Sequence, residues 1–165
     1  MAEHSKFLGL AVSITMDNIA QGGRPFGAVI VKEGKVIAEA VNTMLHDHDP
    51  TAHAEMSAIR LAGKNLKTVD LTGCIVYASG EPCPMCQAAM YMAGIREAYY
   101  VFSNDDGAPY QLSTQKIGIE MRKLPNEREG FMFKAASPAE KASYPELYAL
   151  WHATQSTSHL IDNKR

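Results

Sequence analysis

The amino-acid sequence predicts an α/β fold, a three-layer α-β-α sandwich around a mixed sheet of about five strands. Segments with apolar residues at helical spacing alternate with short apolar runs that are rich in β-branched residues. Two of these runs are joined by Glu33-Gly34, which is typical of a hairpin turn and therefore of antiparallel strands. Two later runs are separated by a helical segment, which favours a right-handed parallel crossover. Together these observations indicate helices on both faces of one mixed sheet.

The first half of the chain is predicted to supply two helices and a hairpin. In order, we predict a helix over 3–20, strands over 26–31 and 35–42, a polar loop over 43–49 and a helix over 52–64. The first helix ends at a breaker cluster in 21–25. The run 26–31 is continuously apolar, as in a strand that is buried on both faces. The run 35–42 alternates enough to be the returning strand of the hairpin.

The second half begins with a clear pattern that then weakens. We predict a strand over 71–78, a helix over 83–93 that ends at Gly94, a strand over 96–102 and a loop over 104–109. Beyond about residue 111, we predict helices over 111–122 and 138–152, a short fifth strand at 131–133 and fraying from about Ser156. No repeat or linker divides the chain, so we expect one domain over residues 1–165.

Composition and charge are typical of a soluble globular domain. The 165 residues are 46% hydrophobic and 21% charged. The formal net charge of −2 argues against a broad phosphate-binding surface, so a nucleic-acid partner is disfavoured. No cationic segment leads into a long apolar run, and no apolar run could span a bilayer, so we expect no membrane partner. The three cysteines indicate a reducing compartment, and we expect a cytoplasmic protein.

Two short motifs contain the residues with the strongest chemical signal, His53-Ala54-Glu55 and Pro82-Cys83-Pro84-Met85-Cys86. Two thiols three positions apart can face one point, and His53 is the obvious candidate for a third ligand. Zinc takes about four ligands, and three protein ligands leave a position open for water, which is typical of a catalytic site. We therefore predict one catalytic Zn²⁺ per chain, held by His53, Cys83 and Cys86.

Glu55 is the predicted proton-transfer residue. Two thiolates cancel the charge of the metal, so this centre needs a base close to the water. Positions two apart on a helix diverge by about 200°, so His53 and Glu55 can serve one metal only if it lies off the helix tip. Glu55 would take a proton from the attacking water and deliver it to the leaving group. The residues predict a hydrolysis, and their resemblance to the zinc-deaminase signature implies that it is the deamination of an amino-substituted aromatic ring, with protons passed to a ring nitrogen and to the departing amine and with release of ammonia.

Each motif alone has a simpler interpretation. A lone histidine is more often a core or surface residue, and a C-x-x-C pair is equally typical of half a structural zinc site or of a redox pair. A structural site would need a fourth Cys or His at short spacing, and a redox pair would need neither His53 nor Glu55. A zinc-stabilised binding module without activity would have no use for Glu55 beside an open position. The combination of both motifs therefore favours an enzyme.

The two motifs together resemble the signature of the zinc-dependent deaminases of the cytidine deaminase-like superfamily. The resemblance covers about residues 22–102 and is closest to the guanine deaminase branch, in the segments 25–31, 49–55 and 81–86 and at Asn42. It implies a cytidine deaminase-like fold and the conversion of guanine, a small nucleobase, to xanthine and ammonia. Cytosine, another small aminoheterocycle, a nucleoside and adenosine in transfer RNA are the alternative substrates.

The same resemblance suggests contacts with the substrate and with a second subunit. Asn42 would hydrogen-bond the purine, the backbone N–H of Ala54 would meet the ring carbonyl, and Phe26 would pack on the ring. Guanine deaminases of this type carry a Gly-Phe-Asp-Asp-like segment after the fourth strand, whose acid reads the 2-amino side. Here Asp105 and Asp106 occupy that region in a different frame, and we treat them as the candidates for this contact. Family members are usually dimers, some with an exchanged C-terminal segment, so we expect a homodimer that could share this exchange.

Overall fold

Four strands form one mixed sheet in the spatial order β2-β1-β3-β4. The strands are β1 (Gly27–Lys32), β2 (Lys35–Val41), β3 (Cys74–Gly80) and β4 (Glu97–Phe102). β1 pairs antiparallel with both β2 and β3, and β3 pairs parallel with β4. The computed structural model describes residues 2–155 of the chain. Its contacts divide it into two compact units that meet between Leu124 and Pro125.

Helices cover both faces of this sheet. Those of the first unit are α1 (Ala2–Ala20), α2 (Met44–Asp47), α3 (Ala54–Leu66), α4 (Pro84–Met92), α5 (Asn104–Gly107) and α6 (Gln115–Met121). Successive strand residues point to opposite faces, so Val29 and Val31 pack with Phe7 of α1. Ala28 and Ile30 face the other way and pack with the buried residues of α3 and α4. The predicted three-layer sandwich is therefore confirmed.

The elements that position the two motifs agree with the sequence pattern. The hairpin turns at Glu33-Gly34, where both residues have positive φ, and the parallel pairing of β3 and β4 around α4 is confirmed. The two predicted loops are wrong in part, because 43–49 contains α2, while 104–109 contains α5 and most of a 3₁₀ turn at Ala108–Tyr110. Short polar segments are typical both of loops and of helix starts, so the pattern did not separate them.

The second unit begins at Pro125 with a 3₁₀ turn, Pro125–Glu127, and contains helices α7 (Pro138–Ala142) and α8 (Leu147–Gln155). The predicted fifth strand at 131–133 is wrong: Phe131 and Phe133 stack on each other, with ring centroids 6.2 Å apart, and form no strand. The predicted helix over 138–152 is interrupted near Pro145, which lacks the N–H that a continuous helix needs. The expected fraying from Ser156 lies outside the described residues, and the single domain over 1–165 stays a prediction.

Within residues 2–155, no helix combines the length and the apolar composition needed to cross a lipid bilayer.

Candidate active site

His53 and Cys83 occupy equivalent positions, because each is the N-cap residue of a helix. His53 precedes α3 with extended backbone (φ −68°, ψ 153°), and Cys83 precedes α4 with φ −68° and ψ 167°. Pro84 is the first residue of α4, where its missing N–H costs no helical hydrogen bond. Neither N-cap side chain makes a capping hydrogen bond to its own helix. Their ligand atoms therefore meet beyond the two helix tips, as the H-x-E spacing requires.

The donor atoms of His53, Cys83 and Cys86 form a nearly equilateral triangle. Cys83 Sγ lies 3.5 Å from Cys86 Sγ and 3.5 Å from His53 Nδ1, and Cys86 Sγ lies 3.6 Å from that nitrogen. Zinc distances of about 2.0–2.3 Å in a tetrahedral site place neighbouring ligand atoms roughly 3.5–3.8 Å apart. The triangle thus fits one face of a tetrahedron and could hold a metal ion. In the described part of the chain, no fourth His, Cys, Asp or Glu joins this group.

Glu55 lies beside the triangle. It is the second residue of α3, only 7% exposed, and its Oε2 is 3.5 Å from Cys86 Sγ. Loss of hydration on burial raises the pKa of its carboxyl above the ordinary value. A carboxyl with a raised pKa can both accept and return a proton near neutral pH, which suits a proton shuttle.

The two thiols do not hold their protons equally. Hydrogen bonding with Cys86 lowers the pKa of Cys83 to about 4, and the same contact raises the pKa of Cys86. The hydrogen bond with Cys83 raises the pKa of His53, against the opposing effects of burial and of the positive charge of Arg24. Both sulfurs must be thiolates to bind a metal, so metal binding would be coupled to the release of protons.

Two of the predicted substrate contacts, Phe26 and Ala54, share a core cluster with the two thiols, and the third, Asn42, is hydrogen-bonded to Phe26. Phe26 packs on the core cluster that contains Ala54, Cys83 and Cys86. The N–H of Asn42 donates to the Phe26 carbonyl at 3.0 Å, and the Asn42 side chain is buried, with 3% exposure. Ala54 is the first residue of α3, so its N–H has no partner within the helix. The Asn42 side chain also accepts a hydrogen bond from the N–H of Met44 at 3.2 Å through Oδ1, which fixes its orientation.

The predicted acidic contacts are less closely placed. Asp106 and Phe26 line one cavity of about 170 Å³, whereas Asp105 lines a second cavity of about 590 Å³. Both acids are exposed. The Asp106 carboxylate accepts hydrogen bonds from the N–H and Oγ of Ser103, at 2.8 and 2.7 Å, and so caps α5. Their contact with substrate stays a prediction.

Family membership is decided by the N-terminal two thirds of the chain. Residues 1–102 match the family model of the cytidine and deoxycytidylate deaminase zinc-binding region. The chain belongs to this deaminase family. The family confirms the predicted fold, the zinc dependence and the enzyme class, so the protein is a zinc-dependent hydrolase that removes amino groups from cyclic amidines.

Individual deaminases resemble the chain over different lengths. The guanine deaminase of Bacillus subtilis (strain 168) is 44% identical over 126 residues, which are 76% of this chain and 81% of that protein. An X-ray structure of guanine deaminase from Bacillus subtilis has a TM-score of 0.81 and 35% identity, and 98% of each chain is covered. A tRNA-specific adenosine deaminase of Aquifex aeolicus (strain VF5) is 42% identical over 94 residues, which are 57% of this chain and 62% of that protein.

Sequence reasoning missed three polar residues that support the deaminase site, namely Asn18, Ser79 and Gln87. Ser79 Oγ accepts a hydrogen bond from the N–H of Gly27 at 3.0 Å, which fixes the start of β1 against the end of β3. Gln87 Nε2 donates to the carbonyl of Pro82 at 2.7 Å and holds the segment before the first thiol. Asn18 Nδ2 donates to the carbonyl of Arg24, in the loop before β1, at 2.8 Å and to the carbonyl of Asn42 at 3.2 Å. No motif marks these residues, since their partners become neighbours only in the fold.

Proposed function

We propose that this deaminase hydrolyses guanine to xanthine and ammonia. The observation that supports guanine is the extent of the similarity. The match to the Bacillus subtilis structure covers 98% of this chain, including the part beyond residue 102, whereas the match to the Aquifex aeolicus tRNA deaminase covers 57%. A net charge of −2 also disfavours a large RNA substrate.

In this proposal His53, Cys83 and Cys86 hold the zinc ion and Glu55 moves the protons. A bound zinc ion supplies the Lewis acid that makes water nucleophilic at neutral pH. Glu55 accepts a proton from the attacking water and passes it to the adjacent ring nitrogen. It then carries the second proton of that water to the departing amine, so that guanine and water become xanthine and ammonia. Because Glu55 is only 7% exposed, bulk water has little access to these protons.

The contacts proposed for the base surround the reacting carbon. Phe26 supplies an apolar face on which an aromatic ring can stack. The Asn42 side chain and the N–H of Ala54 provide hydrogen bonds to the ring edge and its carbonyl. Asp105 or Asp106 would accept from the 2-amino side, where a carboxylate discriminates guanine from bases that lack this group.

The test is ammonia release by the zinc-loaded protein from a panel of guanine, cytosine, adenine, their nucleosides, triazines and an RNA anticodon stem-loop. We expect guanine to have the highest kcat/KM by at least about a hundred-fold, because a buried polar group left unpaired by the wrong base is costly. Turnover of the RNA alone would support the second candidate, a tRNA adenosine deaminase, and would contradict the proposal. Turnover of none of these compounds would contradict both.

We also propose that the protein is a cytoplasmic homodimer. All three cysteines are free, and Cys83 and Cys86 must stay reduced to bind a metal. In the first unit, the edge strand β4 exposes Tyr100, Val101 and Phe102, which are 45%, 42% and 55% accessible. The second unit also exposes large apolar residues, namely Phe131, Met132, Phe133, Leu147, Tyr148, Leu150 and Trp151. Surfaces of this kind are typical of subunit interfaces, and a C-terminal segment exchanged between subunits would cover them.

A further inference from the structure

Arg24, in the loop between α1 and β1, is a half-buried cation that has no counter-ion among the described residues. Its Nε is inaccessible to solvent and has no hydrogen-bond partner in the described part of the chain. Within residues 2–155, no carboxylate forms an ion pair with Arg24. A buried N–H without an acceptor is costly, so an acceptor that reaches this nitrogen would be bound favourably.

The backbone of Arg24 is held against the proposed base-binding residues. The Asn18 amide donates to the Arg24 carbonyl at 2.8 Å and to the Asn42 carbonyl at 3.2 Å. The N–H of Phe26 donates to the same Arg24 carbonyl at 2.8 Å. A side chain at position 23 would lie 2.3 Å from Asn18 Oδ1, so only Gly23 leaves room for this arrangement. The loop therefore has a fixed position relative to both Asn42 and Phe26.

The guanidinium lies near the ring on which the base is proposed to stack. Its Cζ is 5.9 Å from the centroid of the Phe26 ring, and its charge is close enough to act on His53. The guanidinium lies over the Phe26 ring, so a base that stacks on the same face would meet this group at its edge. The planar fork of guanidinium donors is suited to oxygen acceptors, and most of all to oxyanions.

We propose that Arg24 binds an oxygen acceptor of the substrate, at the edge of the base that stacks on Phe26. This inference rests on the proposed function, because it assumes that the base lies between Phe26 and Asn42. The acceptor can be an oxygen of the base itself or the phosphate of a nucleotide, and both present the same chemistry to a guanidinium. In either case Arg24 determines how tightly the substrate binds and takes no part in proton transfer.

The experiment compares Arg24→Gln and Arg24→Lys with the parent protein, all zinc-loaded. The control is Arg96→Gln, because Arg96 bonds to the Tyr91 carbonyl at 2.7 Å and lies outside the site. Calorimetry measures the binding of xanthine and of guanosine 5′-monophosphate, and steady-state kinetics uses guanine. For Arg24→Gln we expect binding weaker by about ten-fold or more, the range for a lost charge-assisted hydrogen bond, with kcat changed by less than about three-fold. The Kd of Arg24→Lys should lie between those of the parent and of Arg24→Gln, since lysine keeps the charge and loses the planar fork of donors.

The pattern of loss identifies the acceptor. Weaker binding of xanthine together with a raised KM for guanine assigns the oxygen to the base, whereas a loss confined to the nucleotide assigns it to the phosphate. Binding by Arg24→Gln that matches the Arg96→Gln control would overturn the proposal. So would dissociation of a dimer by Arg24→Gln alone, which would show that a carboxylate of a second copy is the partner. If the parent protein deaminates a base other than guanine, the proposed function fails and Arg24 is tested on that base.

Discussion

At the scale of single residues, Glu55 offers the sharpest test of the mechanism. Glu55→Gln keeps the shape of the side chain and removes its ability to exchange protons. We expect kcat to fall by roughly a hundred-fold or more, the usual range for a lost general acid-base. Zinc content should stay at one ion per chain, because the carboxylate lies beside the donor triangle and is not part of it.

The stability of this variant follows from the raised pKa of Glu55. Burial disfavours the charged form, so the contribution of Glu55 to stability is lost as pH rises through its folded-state pKa. Glutamine carries no charge at any pH. At neutral pH the metal-free variant should therefore have a Tm at least as high as that of the metal-free parent. Glu39→Gln, on the exposed side of β2, serves as the control for activity. Full turnover by Glu55→Gln would remove Glu55 from the mechanism.

Gly80 is a second residue with a testable effect on the site. A Cβ at this position would lie 3.0 Å from two ring carbons of Phe26, closer than side chains normally approach. Gly80→Ala should therefore shift the Phe26 ring and lower kcat/KM roughly ten-fold, since small displacements of a positioning group are costly. The control is Gly9→Ala, because nothing lies within 4 Å of the added carbon there.

A double-mutant cycle separates this contact from a general effect on folding. In a Phe26→Leu background the added methyl group meets a smaller side chain. Gly80→Ala should therefore lower kcat/KM less in this background than in the parent. Equal losses in both backgrounds would show that Gly80 acts on something other than Phe26.

At the scale of elements, the sequence was most informative where a local pattern determines the structure. The hairpin at Glu33-Gly34 and the helix that starts at Pro84 were predictable, because turn residues and helix starts have their own chemistry. The false strand at 131–133 had the composition of a strand, but no strand among residues 2–155 pairs with it. Strand formation depends on a partner far away in the chain, and a local pattern does not contain that information.

In the candidate site, too, some residues were predictable from the sequence and others were not. His53, Glu55, Cys83 and Cys86 were predictable, since metal ligands and a base have characteristic residue types and spacing. Asn18 and Arg24 were not, because an asparagine on a helix and an arginine in a loop are ordinary until the fold brings them to Phe26 and Asn42. Supporting contacts of this kind become visible only in three dimensions.

Zinc removal should destabilise the two helix starts that the metal would join. Without zinc, α3 and α4 are linked at this point only by protein contacts. At a zinc concentration about a thousand times the Kd, binding adds about 4 kcal/mol to the free energy of unfolding, which is roughly 10 °C in Tm for a domain of this size. Differential scanning calorimetry before and after chelation measures this difference.

Variants of the cysteines identify the ligands in the same assay. Cys83→Ser should lose bound zinc and most of the effect of chelation on Tm. Cys74→Ala should keep both, because Cys74 is buried in the core and lies outside the donor triangle. Equal zinc content in Cys83→Ser and the parent would contradict the proposed ligand set.

At the scale of the whole molecule, the proposed substrate depends on the part of the chain that the sequence explained least. Residues 1–102 carry the family match and the catalytic motifs, and these are compatible with several amino-substituted bases. Similarity to guanine deaminase continues beyond them, although the acids after β4 stand in a different frame. The reaction type and the identity of the base are therefore separate conclusions, and the substrate panel can change the second while the first stands.

The proposed homodimer can be tested by a single substitution on the exposed face of β4. Val101 on β4 is 42% exposed, and a charge there would be buried without a partner if a second copy covers the strand. Val101→Glu should therefore weaken the dimer by at least about ten-fold in Kd, which corresponds to about 1.4 kcal/mol. Val69→Glu is the matched control, because Val69 is 68% exposed and belongs to the segment between α3 and β3, not to the edge strand. Sedimentation velocity over a concentration series measures both. A monomeric parent would contradict the proposed homodimer, whereas a dimer insensitive to Val101→Glu would place its interface on another surface.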